Sequence, residues 1–166
     1  MMDPTRIVES TAELFATCEK VSGIISWIDE KSLADEEVDP ILGVVRSELD
    51  SLSQVFISLH TSFCDPSIVR CVFLPQTGYE GQHWRNVKRS LDDCQGCLNK
   101  LDRFFHPIFN AKRSQAFLQA KVIMAIIREL NLAPIPAFKQ QIVACRKVLE
   151  LSQQLIDVYD PLACHA

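Results

Sequence analysis

The chain has 166 residues, 48% of them hydrophobic and 23% charged, with a net charge of −4. That length fits one domain of about 100–200 residues, and the apolar share excludes a disordered tail. Five glycines and eight prolines, the latter mostly between apolar-periodic segments, argue against the dense turns of a β-sandwich.

The charge is unevenly spread. Residues 1–40 hold three Lys/Arg against ten Asp/Glu, a net of −7, whereas residues 84–128 hold nine against three, a net of +6. An acidic first helix beside a basic middle third implies attraction within the fold or complementary faces between copies. The plainer reading is two differently solvated faces.

The first helix is expected over 4–30. Asp3 and Pro4 suit a helix start, because the aspartate accepts free N–H groups and the proline has none to waste. Ile7, Thr11, Leu14, Cys18, Val21, Ile25 and Ile28 then recur at 4-3-4-3 spacing, one stripe along roughly 40 Å of helix. A polar connector follows, and its acidic cluster sits where the next helix dipole favours it. The second helix is expected over 38–64, with Ile41, Val45, Leu49, Leu52, Phe56, Leu59 and Phe63 aligned, and Asp65-Pro66 should stop it.

Residues 65–82 read as a long loop. The third helix is expected over 83–105, with Val87, Leu91, Cys94, Leu98, Leu101 and Phe105 on one face and His106-Pro107 ending it. The fourth is expected over 113–131 through Phe117, Ala120, Met124, Ile127 and Leu130. The fifth is expected over 137–160 through Phe138, Ile142, Cys145, Leu149, Ser152, Ile156 and Tyr159. Five helices with one apolar stripe each satisfy one another by packing stripe on stripe, so an all-α, up-and-down bundle spanning residues 1–166 as a single domain is the expected fold.

Catalytic chemistry is not expected. Cys94-Gln95-Gly96-Cys97 is the most suggestive motif, but no second CxxC completes a zinc set, and a redox CxxC belongs at a helix start in a βαβ context. A buried structural thiol is the better reading of Cys94. Cys164-His165 sits at the C-terminus, and His60, His83, His106 and His165 are scattered singly. Asp92 and Asp93, adjacent on a helix, diverge by about 100°. No phosphate-binding glycine motif occurs. The expectation is therefore no enzyme, no cofactor and no metal.

Seven cysteines, with Glu9, Glu13, Glu19 and Lys20 interrupting residues 1–28 where a signal peptide would be apolar, imply a reducing, cytoplasmic setting. The longest apolar run, Val122 to Ile127, falls far short of the roughly 18 residues that cross a bilayer. A pI near 5.5 and the lack of a reading motif argue against a nucleic-acid partner.

Two segments resemble a known family. Residues 2–31, opening Met2-Asp3-Pro4 and running through TAELFATCEKVSGIISWI, resemble the first helix of the HeLo-like N-terminal domain of fungal STAND (NLR-like) proteins. The segment His83 to Cys94, HWRNVKRSLDDC, with Leu98 and Leu101 after it, is similar to that family's tryptophan-plus-SL-D-C helix, and Phe138 to Val158 is similar to its closing helix. The resemblance implies a bundle at the front of a signalling receptor concerned with regulated cell death or non-self recognition, acting by oligomerisation and insertion of its first helix into membrane. This first helix departs from the family's low-charge habit, and each charge at the bilayer centre costs about 2.5–3.5 kcal/mol. Lying flat at a membrane surface demands less.

The expected function is a non-enzymatic signalling module that binds itself or another protein, with an anionic membrane surface as a further partner and peripheral attachment as the alternative location. A constitutive adaptor with an inter-helix groove and a small-molecule carrier are the competing readings. The candidate interaction residues are Trp27, Trp84, Arg85, Lys88 and Arg89. Both tryptophans double as core anchors, and Trp27 also suits a membrane interface. The three cations suit an acidic partner or lipid headgroups.

Overall fold

A computed structural model describes residues 4–31, 33–66, 78–113 and 120–158. Among these the protein forms five helices: α1 Pro4–Glu30, α2 Val38–Cys64, α3 Gly78–Arg113, α4 Ala120–Glu129 and α5 Ile135–Val158. No strand occurs among the described residues.

The four long helices close a ring in the order α1, α2, α5, α3, and α4 lies against α3. Their partners give the directions. Thr11 meets His60 while Ser22 meets Asp50, so α1 and α2 run antiparallel. Lys20 meets Asp102 and Trp27 meets Lys112, which makes α1 and α3 parallel. Glu48 pairs with Arg146 and Ser62 with Gln153, so α2 and α5 are parallel too. Phe104 stacks edge-on against Phe138 at 6.0 Å, and since α3 parallels α1 while α5 parallels the antiparallel α2, α3 runs antiparallel to α5. The long helices thus alternate up and down along the chain, but the ring places α2 diagonally across from α3.

The expected stripes form the core. Ile7, Thr11, Leu14, Cys18, Val21, Ile25 and Ile28 are all buried on α1. They face Val45, Leu49, Leu52, Phe56, Leu59 and Phe63 of α2, where Leu42 rather than the expected Ile41 takes the buried position at the start and Ile41 is only half-buried, and Val87, Leu91, Cys94, Leu98, Leu101 and Phe105 of α3. Ile142, Leu149, Ser152 and Ile156 of α5 complete one continuous cluster. Thr11 is tolerated there because its hydroxyl donates to the Val8 carbonyl at 2.9 Å. Asp35 starts α2: its carboxylate accepts the N–H groups of Glu37 and Val38 at 3.0 and 2.9 Å, donors that a helix start would otherwise leave open.

The helix boundaries differ from the sequence expectation around α3. Pro107 does not end it; the helix continues to Arg113 with the proline inside. Proline removes one backbone hydrogen bond and crowds the preceding turn. Burial of Ile108 and Ala111 beyond it outweighs that cost, while Pro107 itself stays exposed. The start also moves, since Gly78 to Gln82 are helical rather than loop. Arg113 consequently belongs to α3, and the fourth helix is described only over Ala120–Glu129. Among the described side chains of α4, Ile123 and Ile127 are buried, while Met124 of the expected stripe is only half-buried. Residues 67–77 of the expected loop, with Phe117 and Tyr159 of the expected stripes, lie outside the described residues.

Candidate functional site

The cations singled out in the sequence come together on one element. Arg85, Lys88 and Arg89 occupy i, i+3 and i+4 positions near the start of α3, share one helix face and are all exposed. Glu9, Glu13 and Glu19 are likewise exposed on α1, the parallel neighbour. None of these six charges forms an ion pair among the described residues.

The ion pair that does join the two helices runs against their overall charge. Lys20, one of the few cations of α1, lies 2.9 Å from Asp102, one of the few carboxylates of α3. The same ammonium sits 4.4 Å from the Phe109 ring centroid. Attraction within the fold therefore leaves the acidic excess of α1 and the basic excess of α3 facing solvent.

Trp27 is half-buried against the core, and the Lys112 ammonium stands 5.6 Å from its ring centroid. It is a packing residue with a cation over its open face, an arrangement that favours keeping both in place. Trp84 falls within α3, but its side chain lies outside the described residues.

The cysteines converge in a way the CxxC motif alone did not suggest. Cys18 of α1, Cys94 and Cys97 of α3 and Cys145 of α5 are free thiols in or beside the core. Burial pushes Cys18 up to about 12 and Cys97 up to about 11. The hydrogen bond to Cys145, reinforced by burial, holds Cys94 protonated, and the same bond lowers Cys145. The sequence signal lay in the stripes: Cys18, Cys94 and Cys145 each occupy an apolar stripe position of their helix, whereas Cys97 lay outside the expected stripe.

His60 is tied into the α1–α2 contact. Its Nδ1 lies 3.3 Å from both Thr11 Oγ1 and the Val8 carbonyl, and since Thr11 already donates to that carbonyl, the ring N–H is the donor. His106 is exposed. Among the described residues no three His, Cys, Asp or Glu side chains are grouped to hold a metal ion. Cys164 and His165 lie outside them.

Two further surfaces are open. A groove of about 480 Å³ between α2 and α5 is lined by polar side chains, among them Ser51, Gln54, Ser58, Arg146 and Gln153. On α5, Val148, Leu151 and Leu155 turn outward, 43%, 60% and 51% exposed, although Leu149 between them is fully buried. The sequence reading missed this second stripe because it interleaves with the core stripe. No helix among the described residues is long and apolar enough to cross a membrane.

No family model, curated protein or solved structure matches this chain.

Proposed function

We propose that the protein is a non-enzymatic helical signalling module that self-associates, the acidic face of α1 in one copy meeting the basic face of α3 in another. The observation that carries this reading is the reversed polarity of the Lys20–Asp102 pair. It leaves Glu9, Glu13 and Glu19 on one helix, and Arg85, Lys88 and Arg89 on the other, without ion-pair partners among the described residues. Complementary potentials of this kind steer association and fix register. The resemblance to HeLo-like domains agrees with a role in regulated cell death, and the cations also suit anionic lipid headgroups. The charges along α1 weigh against deep insertion of that helix.

Sedimentation velocity at rising protein concentration tests the reading, at low salt and at about 1 M salt, where the Debye length falls to roughly 3 Å. Association that salt weakens, and that the triple variant R85E/K88E/R89E loses, is expected. Mixing that variant with E9K/E13K/E19K should restore it. A monomer under every condition overturns the proposal, and leakage of anionic liposomes without self-association points to the lipid surface instead.

A second reading is a constitutive adaptor. It draws on the α2–α5 groove, where Arg146 Nε and Gln153 Oε1 are buried without a hydrogen-bond partner. A polar peptide laid along the groove would supply them. Its mark is one-to-one binding of a peptide by a protein that stays monomeric.

A further inference from the structure

We propose that the outward stripe of α5 is a second self-association face, on which two copies of the chain pair antiparallel about a two-fold axis between Val148 and Leu151. Ala137, Gln141, Ala144, Val148, Leu151 and Leu155 follow one another at 4-3-4-3-4 spacing, and all six are exposed. A mean step of about 3.5 residues is the repeat on which two helices stay in contact along their length. The core stripe through Ile142, Leu149 and Ile156 occupies a different face of the same helix, so the bundle does not consume the outer one. The pairing needs no charge from α1 or α3 and stands apart from the contact proposed above.

The relief of the stripe selects a second copy as its occupant. The second half stands proud at Leu151 and Leu155, whereas the first half is hollow. A depression of about 570 Å³ opens beside Ala144, lined by Pro136, Lys139, Gln140, Val143, Ala144 and Lys147. Ala144 and Leu155 are 11 residues apart, about 16 Å along the helix. Turning a second helix end for end about the midpoint of Val148 and Leu151 brings its Leu155 over that depression, and the first copy's Leu155 over the second copy's. This is the reciprocity of an isologous contact. Val148 meets Leu151 of the other copy in both directions. The charges agree with the shape. Lys139 and Lys147 lie in the first half of α5, and Glu150 and Asp157 in the second. The antiparallel pair sets the basic half of each helix against the acidic half of its mate, and a parallel pair would set like against like. One helix face falls below the roughly 800 Å² per partner of a standard interface, so the dimer forms and dissociates with concentration.

Sedimentation velocity of the full chain over a concentration series at about 1 M salt isolates this face, because the charged contact between α1 and α3 is screened there. A monomer–dimer equilibrium that stops at two copies is expected, unchanged in R85E/K88E/R89E. Leu151→Glu should weaken the dimer about a hundredfold or more, since each dimer would enclose two carboxylates. Crosslinking reads the register. Copies carrying Ala144→Cys, mixed with copies carrying Leu155→Cys, should join through those two positions under mild oxidation, as located by peptide mapping, and neither should join to its own kind there. A chain that stays monomeric at high salt, or a dimer that survives Leu151→Glu, overturns the proposal and leaves the stripe to a different protein. Ala144→Cys copies that join to one another at that position overturn the antiparallel register. Loss of association in R85E/K88E/R89E at low salt concerns the charged contact alone, so the two proposals fail separately.

Discussion

Lys20 and Asp102 meet at 2.9 Å across the α1–α3 contact, each about one-third exposed at its side chain. The carboxylate oxygen that Lys20 approaches is itself closed off from solvent. Removing the ammonium would leave that oxygen with neither water nor cation, and Phe109 would lose the charge over its ring. Exposed ion pairs contribute about 0.2–1 kcal/mol, and an orphaned buried acceptor costs about 1–3 kcal/mol. Lys20→Ala should therefore destabilise the fold by about 1–2 kcal/mol, read as a lower urea midpoint, and Lys20→Arg by less. Equal losses for the two would show that the charge contributes nothing.

Pro107 offers the opposite sign. It sits inside α3 with no N–H to give the preceding turn, and its side chain is exposed. Pro107→Ala should restore that bond without disturbing the core and raise stability by about 2 kcal/mol. The measurement is again the denaturation midpoint. A drop in stability would mean that the proline shapes the approach of the last α3 turns to α1.

These two positions show how much the amino-acid order disclosed. The α1 stripe from Ile7 to Ile28 was readable because seven apolar or small residues hold one helical spacing, and all seven are buried. Pro107 misled because a local rule about helix interiors says nothing of Ile108 and Ala111, whose burial depends on the packing of the whole bundle. The candidate site was partly legible. Arg85, Lys88 and Arg89 were visible as a basic run on one helix face, but that no ion pair engages them among the described residues followed only from the folded arrangement of the helices. The convergence of Cys18, Cys94, Cys97 and Cys145 was hidden for the same reason: residues about 50 to 80 positions apart become neighbours only once the ring order is known.

Leu149 and Leu151 make a matched pair two residues apart on α5. Leu149 is 0% exposed and Leu151 is 60% exposed. Leu149→Ala should cost about 2–5 kcal/mol through lost burial and the cavity left behind, and Leu151→Ala should stay within about 0.5 kcal/mol in the monomer. Thermal or urea unfolding separates them. A large loss at Leu151 at low protein concentration would place that side chain in a core contact.

Alkaline pH should weaken the fold through its buried thiols. Cys18 is raised from 9.0 to about 12 and Cys97 from 9.0 to about 11, both chiefly by burial. Above pH 9.0 the unfolded chain releases these protons while the folded chain keeps them, so the unfolded state binds fewer protons and stability falls as pH rises. Cys145, lowered in the fold, works the other way: its stabilising share is present above the unfolded value and fades as pH drops through the folded one. Each retained proton contributes a slope of up to about 1.4 kcal/mol per pH unit. Urea midpoints taken between about pH 9 and 11 should decline, and Cys18→Ala should flatten the decline whatever it does to stability at neutral pH. An unchanged slope in that variant would remove Cys18 from the account.

The ring order also carries a kinetic consequence. α1 and α2 are antiparallel neighbours joined by a connector of seven residues, 31–37, whereas α1 meets α3, and α2 meets α5, only across far longer stretches of chain. Closing a short loop forfeits less freedom than closing a long one. The helical hairpin of α1 and α2 is thus the natural nucleus, and the later helices arrive on a surface already in place. The acidic face of α1 would then be exposed while the rest of the chain is still being made.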